Sequence, residues 1–216
     1  MFTVKAFMFN PFQENTYVLY DESGECVVID PGCYETHEEE QLSAYISDNQ
    51  LVPVRLLNTH CHIDHVFGNK YIAEKYDLPL AINENELVVL HRAEEAAMNY
   101  GITYKGSPEP TIFLTEMDVV RFGKTELKIS FTPGHSPGSI SFYNEAEKVI
   151  ISGDVLFLQS IGRFDFPGGD EHVLMDSINN KLFLLGDDMV VHPGHGPQTT
   201  IGYEKEHNPF VLNYSG

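Results

Sequence analysis

Four side chains of metal-ligating type crowd six positions in His60-x-His62-x-Asp64-His65. Three further stretches carry the same kinds of group on Gly/Pro-rich turns: Thr132-Pro133-Gly134-His135-Ser136-Pro137-Gly138, Ile151-Ser152-Gly153-Asp154 and Val191-His192-Pro193-Gly194-His195-Gly196. Neutral imidazole and carboxylate suit zinc, and also iron or manganese. His60, His62, His65, His135 and His195, with Asp64 and Asp154, are donors enough for two divalent ions sharing one carboxylate. Two such ions sit roughly 3.5–4 Å apart and can hold a hydroxide between them, because a metal lowers the pKa of its water to about 7. The chemistry this set could do is hydrolysis.

Each of these stretches needs a strand to carry it to a common place. Apolar, strand-like runs precede all of them, over residues 54–58, 126–132, 149–152 and 189–192. Loops leaving the ends of strands are where ligands converge at a sheet edge. Further strands are predicted over 4–9, 16–20, 26–30, 80–82, 119–122 and 139–143. Between the first two, Asn10 to Asn15 has turn chemistry. Helices are predicted over 35–49, from the metal-type motif through Tyr76, over 171–185 and over 200–207. One long helix is expected from a cap at Asn83 to Asn99, stopped by Gly101. Residues 101–118 read as an irregular crossover. Two successive blocks of strands with helices predict two sheets face to face, with helices outside.

The chain of 216 residues suits one domain spanning 1–216. Its 13 basic against 32 acidic side chains give a formal charge of −19, which argues against a nucleic-acid partner. No apolar run reaches the ~18 residues of a membrane span, and no signal-peptide pattern is visible. Three cysteines, an odd number, make a disulfide framework unexpected and point to a reducing cytoplasm. Oligomeric state is left open.

The motifs resemble the metallo-β-lactamase superfamily. Within it they are most similar to the small glyoxalase-II-like hydrolases. The matching pieces are residues 59–65, 133–138 and 152–154, Gly162-Arg163-Phe164-Asp165-Phe166-Pro167-Gly168-Gly169, and 193–196, all in the family's order. The resemblance implies an α/β fold, a four-layer αβ/βα sandwich of two mixed β-sheets with metals at one edge. By position, His60, His62 and His135 would hold one metal and Asp64, His65 and His195 the other. Asp154 would bridge, and Asp64 and Asp154 would serve catalysis. The implied reaction is thiolester hydrolysis on a small molecule. The superfamily also contains mononuclear-iron persulfide dioxygenases, in which His60, His135 and Asp154 would be the ligands. A third reading is a metal-carrying interaction module without turnover. Two-domain glyoxalase II enzymes grip glutathione with a C-terminal helical domain, whereas only a short tail follows His195 here.

Other residues carry plainer readings. His192 reads as a strand-end residue beside the ligand candidate His195. Cys61 faces away from its two histidine neighbours by alternation. Arg163 could bind a substrate carboxylate, or pair with Asp165 to hold its loop. Phe12, Tyr100, Tyr104 and Lys105 are candidates for the substrate mouth. Asp30, just past a strand, is expected to orient a ligand histidine from behind.

Overall fold

The computed structural model describes residues 1–214. The first sheet runs in spatial order through β1 (Thr3–Phe9), β2 (Glu14–Tyr20), β3 (Glu25–Ile29), β4 (Val52–Leu57), β5 (Leu80–Ile82) and β6 (Ile112–Phe113). The second contains β7 (Val119–Phe122), β8 (Thr125–Phe131), β9 (Ile140–Asn144) and β10 (Val149–Gly153). A ribbon of β11 (Leu156–Phe157) and β12 (Ser160–Ile161) follows, and β13 (Val190–Pro193) and β14 (Thr199–Thr200) complete the second sheet in the order β14-β13-β10-β9-β8-β7. Both sheets are mixed. β3 and β4 run parallel, as do β10 and β13, while the outer hairpins are antiparallel.

Alternation along the strands explains the layering. On β2 and β3, Tyr17, Leu19, Val27 and Ile29 face the second sheet, where Phe122, Leu127, Ile129, Phe142 and Ile151 meet them. Their sequence neighbours Val18, Cys26 and Val28 face the other way, as period-2 side chains must. That outer face is covered by α1 (Thr36–Asp48), α3 (Asn69–Tyr76) and α5 (Ala93–Tyr100) through Leu42, Ile46, Ile72 and Ala97. The short α2 (Ile63–Val66) and α4 (Leu87–Leu90) precede the latter two helices. On the far side, Ile150 and Val191 meet α6 (Glu171–Asn180) and α7 (Ile201–His207) through Leu174, Ile178 and Ile201. A last turn, α8, spans Pro209–Leu212. Three apolar layers between two sheets and two helical coats make the expected four-layer αβ/βα sandwich. Among the described residues, no helix is long and apolar enough to cross a membrane.

Several expected elements differ. The long helix from Asn83 is three pieces, a 3₁₀ turn Glu84–Glu86 followed by α4 and α5. Asn83 does cap it, accepting from the Asn85 N–H, and Gly101 does end it at φ 68°. The break comes where Arg92 N–H turns to Val89 O. No Gly or Pro marks it, and the buried positions Glu86, Leu90, Ala93 and Ala97 keep helical spacing across it, so the pattern reads as one helix. The helix expected over 171–185 breaks at Lys181 into α6 and a 3₁₀ turn, Leu182–Leu185. The two-residue strands β6, β11, β12 and β14 are too short for a period to show.

Candidate metal centre

β3, β4, β8, β10 and β13 all end at one edge of the sandwich. The N-terminus of antiparallel β2 returns to the same edge. The loops after β4, β8, β10 and β13 therefore deliver His60–His65, His135, Asp154 and His195 to one place. Asn15 ties the two sheets together there. Its side-chain amide donates to Pro193 O at 3.0 Å and to Gly196 O at 2.9 Å, and its N–H donates to Gly194 O at 2.7 Å. Tyr17 OH adds a bond to Pro193 O at 2.7 Å. Asn10 likewise holds the Asp64 segment, its amide donating to Asp64 O at 3.0 Å and Gly32 O at 2.9 Å.

All seven expected residues meet. The nearest donor atoms of His60, His62 and His135 lie within 4.8 Å of one another, and so do those of Asp64, His65 and His195. Asp154 stands between the groups. Its Oδ2 is 3.6 Å from His135 Nε2 and 3.5 Å from His195 Nε2, and its Oδ1 is 3.4 Å from His65 Nε2. Gly194 permits this, because a Cβ there would come within 2.0 Å of Asp154 Oδ1.

The partners behind the ring decide which nitrogen faces inward. His135 Nδ1 donates to Arg163 O at 2.6 Å and His195 Nδ1 to Phe12 O at 3.2 Å. A carbonyl only accepts, so each Nδ1 carries hydrogen and each neutral ring offers Nε2 to the site. His65 Nδ1 is held at 3.1 Å by Asp30 Oδ2 and His60 Nδ1 at 3.1 Å by Thr59 Oγ1. His62 is the exception, with Nδ1 turned to within 2.8 Å of His135 Nε2. Asp30, His60 and His65 also cluster. However, Asp30 already accepts from Thr59 N–H, Thr59 Oγ1 and His65, so it orients the donors rather than joining them.

The donor set fits a metal. His60 Nε2, His65 Nε2 and Asp154 Oδ1 are buried without a hydrogen-bond partner among the described residues. Such orphans are costly unless something else binds them. Charge agrees. Burial, then His65, His135 and His62, hold His60 well below the usual imidazole range. Burial and His135 bring His62 to about 3, and burial also lowers His135. Burial opposes ionisation of Asp154, but His65, His195 and His135 outweigh it and keep its carboxyl well below the usual range. For His65 and His195, burial is outweighed by the carboxylates Asp64 and Asp154, and the pKa rises. His60, His62, His135 and Asp154 thus rest in their ligating forms, neutral imidazole and carboxylate, whereas at His65 and His195 a metal ion would displace a proton that the same carboxylates attract.

A cavity of about 990 Å³ opens over the cluster. His62, Asp64, His135, Asp154 and His195 line its floor, and Phe12, Val88, Val89, Ala96, Tyr100, Phe157 and Phe166 its walls. Arg163 reaches the wall, but its guanidinium pairs with both oxygens of Asp165 at 2.9 and 2.8 Å and stacks on Phe166 at 4.1 Å. Tyr104 and Lys105 are not brought to the cavity. Tyr104 packs against Phe67, and Lys105 pairs with Glu39 at 2.6 Å, because the crossover folds back on α1. Arg92 does line the cavity and pairs with no carboxylate among the described residues. No motif or spacing in the sequence marks it, nor Glu86, and Asn15 is marked only as part of a turn. His192 takes no part in the cluster, its Nδ1 accepting from Gln198 Nε2 at 3.0 Å. Cys26, Cys33 and Cys61 are buried free thiols.

A His/Asp cluster at the shared edge of two facing mixed sheets is the arrangement of metal-dependent hydrolases. The family model of the metallo-beta-lactamase superfamily matches residues 9–195, and the chain belongs to that superfamily. A probable metallo-hydrolase, YqgX of Bacillus subtilis, is 37% identical over 95% of each chain. The hydroxyacylglutathione hydrolase GloC of Haemophilus influenzae is 36% identical over 94% of this chain and 95% of its own. Among solved structures, the B3 metallo-beta-lactamase BLEG-1 superposes with TM-score 0.89 at 37% identity, covering 99% of this chain and 100% of that one. TTHA1623 in a di-iron-bound form gives 0.86 at 37%, covering 96% and 100%. ETHE1 from Myxococcus xanthus gives 0.81 at 25%, covering 99% and 86%.

Proposed function

We propose that the protein is a dinuclear-metal thiolesterase, releasing a carboxylate and a free thiol. The observation that carries the dinuclear reading is Asp154, whose carboxylate reaches His135 of one donor group and His65 and His195 of the other. His60, His62 and His135 would hold the first ion, Asp64, His65 and His195 the second, with Asp154 shared; zinc suits these donors, and iron or manganese also fit. Bound there, two divalent cations supply Lewis acidity to a carbonyl oxygen and lower the pKa of a water towards 7. The chain's own contribution is placement and charge. Asp64 and Asp154 present carboxylates to the cavity floor, where both orient an incoming water and Asp64, the one not shared between the donor groups, can take up its proton. The water oxygen adds to the acyl carbon, the C–S bond breaks, and the sulfur leaves with a proton. The apolar walls exclude other water. The GloC relative supports a thiolester as substrate. The buried free thiols agree with a cytoplasmic protein, and the acidic chain is read as having neither a nucleic-acid nor a membrane partner.

The second reading is a mononuclear-iron persulfide dioxygenase using His60, His135 and Asp154. The similarity to ETHE1 favours it. One paired assay separates the two. Metal-loaded protein should release thiol from a hydroxyacylglutathione without oxygen. Oxygen uptake with glutathione persulfide and no thiol release would reverse the order. Hydrolysis of a chromogenic β-lactam alone would move the substrate class to cyclic amides. Activity in no arm leaves a metal-carrying interaction module.

A further inference from the structure

Glu86 sits at the end of the 3₁₀ turn after β5 and is fully buried. It hydrogen-bonds to none of the seven clustered side chains. Its carboxylate instead joins the two loops that carry three of them. Oε2 accepts from Cys61 N–H at 2.7 Å, between His60 and His62. Oε1 accepts from Ser136 Oγ at 2.5 Å, next to His135, and from Gly138 N–H at 2.7 Å. The first loop leaves β4 of one sheet and the second leaves β8 of the other. Gly138 is shaped for the approach, since a Cβ there would lie 2.7 Å from Glu86 N.

We propose that Glu86 is a positioning residue for the His60/His62/His135 group. The proposal rests on the reading that this group holds a metal. Three donors converge on one carboxyl group, whose two oxygens accept from all of them, Oε1 from the second loop and Oε2 from the first. The clamp sets the distance between loops and so the 2.8 Å approach of His62 Nδ1 to His135 Nε2. The Thr59 O bond from Ile140 N–H, at 2.9 Å, joins the same loops further back. Glu86 acts closer to the donor atoms and on both loops at once. A carboxylamide at this position can turn its oxygen to only one loop, and its NH₂ then faces an N–H of the other.

The test is cobalt(II) binding to the full-length, metal-stripped protein, read by its visible absorption bands and by competition with a chelator. Glu86→Gln should weaken cobalt binding about 10- to 100-fold, the usual cost of losing support behind a ligand. It should also change the band intensities that report coordination geometry, and speed amide exchange at Cys61 and Gly138 in the metal-free protein. Ser136→Ala, which removes one of the three bonds and leaves the carboxylate, should give a smaller shift in the same direction. A folded Glu86→Gln with wild-type bands and affinity within twofold would overturn the proposal. If Glu86→Gln does not fold, Ser136→Ala decides, and an unchanged spectrum and affinity there would overturn it equally. A wild-type protein that takes up no cobalt would instead defeat the metal reading itself, and Glu86's role with it.

Discussion

Glu14 and His195 pair across an antiparallel β-bridge, joining the start of β2 in the first sheet to the loop after β13 in the second. Next to that bridge, three hydrogen bonds from Asn15 hold residues 193–196. The last ligand candidate is therefore placed by the N-terminal part of the chain. Asn15→Ala removes two side-chain bonds, one to the buried Pro193 carbonyl and one to the more exposed Gly196 carbonyl, and should destabilise the fold by about 1–3 kcal/mol. The half of the centre containing His195 should lose its ion first. Elemental analysis before and after mild chelation, beside a thermal melt, checks both. Full metal content after chelation would show that the bridge alone suffices.

Asp154→Asn keeps the shape but removes the shared charge. The expected outcome is an intact far-ultraviolet dichroism spectrum, a metal content below two per chain and kcat lower by about a hundredfold or more. Near-wild-type turnover would contradict the assignment of Asp154 as the bridge.

Gly194→Ala places a methyl within 2.0 Å of Asp154 Oδ1 and 2.7 Å of His65 Cε1. Neither neighbour is the free end of a flexible surface chain, so the loop must shift, at about 1–3 kcal/mol. We expect a modest fall in melting temperature and a disproportionate loss of metal. A variant binding two ions as tightly as wild type would count against the packed geometry.

Arg92 is the cavity-lining cation without an acidic partner among the described residues, whereas Arg163 is held by Asp165. Arg92→Ala should raise KM for a carboxylate-bearing thiolester about five- to tenfold and leave kcat nearly unchanged, the pattern of a lost ground-state contact. A neutral thiolester should show no such change. Equal effects on both substrates would argue against a carboxylate contact.

Burial lowers His192 from the usual 6.5 to about 4. The unfolded chain therefore gains a proton below pH 6.5 that the folded chain refuses. Stability contributed by neutral His192 is full above that value, falls as pH drops towards 4, and levels off below. The loss is about 3 kcal/mol at most. Denaturant melts of metal-free wild type and His192→Asn at pH 7 and 4.5 isolate it, because the ligand histidines titrate in both. An equal loss in both proteins would rule out His192 as a source.

Much of the centre was legible in the sequence because a ligand is recognised by its chemical type and by the turn that carries it. Each of His60, His135, Asp154 and His195 follows an apolar run, the last three stand on or beside a Gly/Pro-rich turn, His60 opens a dense run of donor types, and those signals are local. The helix through Leu90 and Arg92 was legible only in part, since its buried positions keep one period across a break that hydrogen bonds alone reveal.

Sequence alone thus determined the donor types, their order and the two blocks of strands that bear them. Tertiary structure decided the rest: which donors share a neighbourhood, which imidazole nitrogen faces inward, and which residues hold the loops. Asn15 and Pro193 lie 178 positions apart, and Glu86 and Gly138 lie 52 apart. Hydrogen bonds at such separations follow no helical or strand period, so no local pattern can announce them. They exist only once burial of the three apolar layers has brought the two sheet edges together.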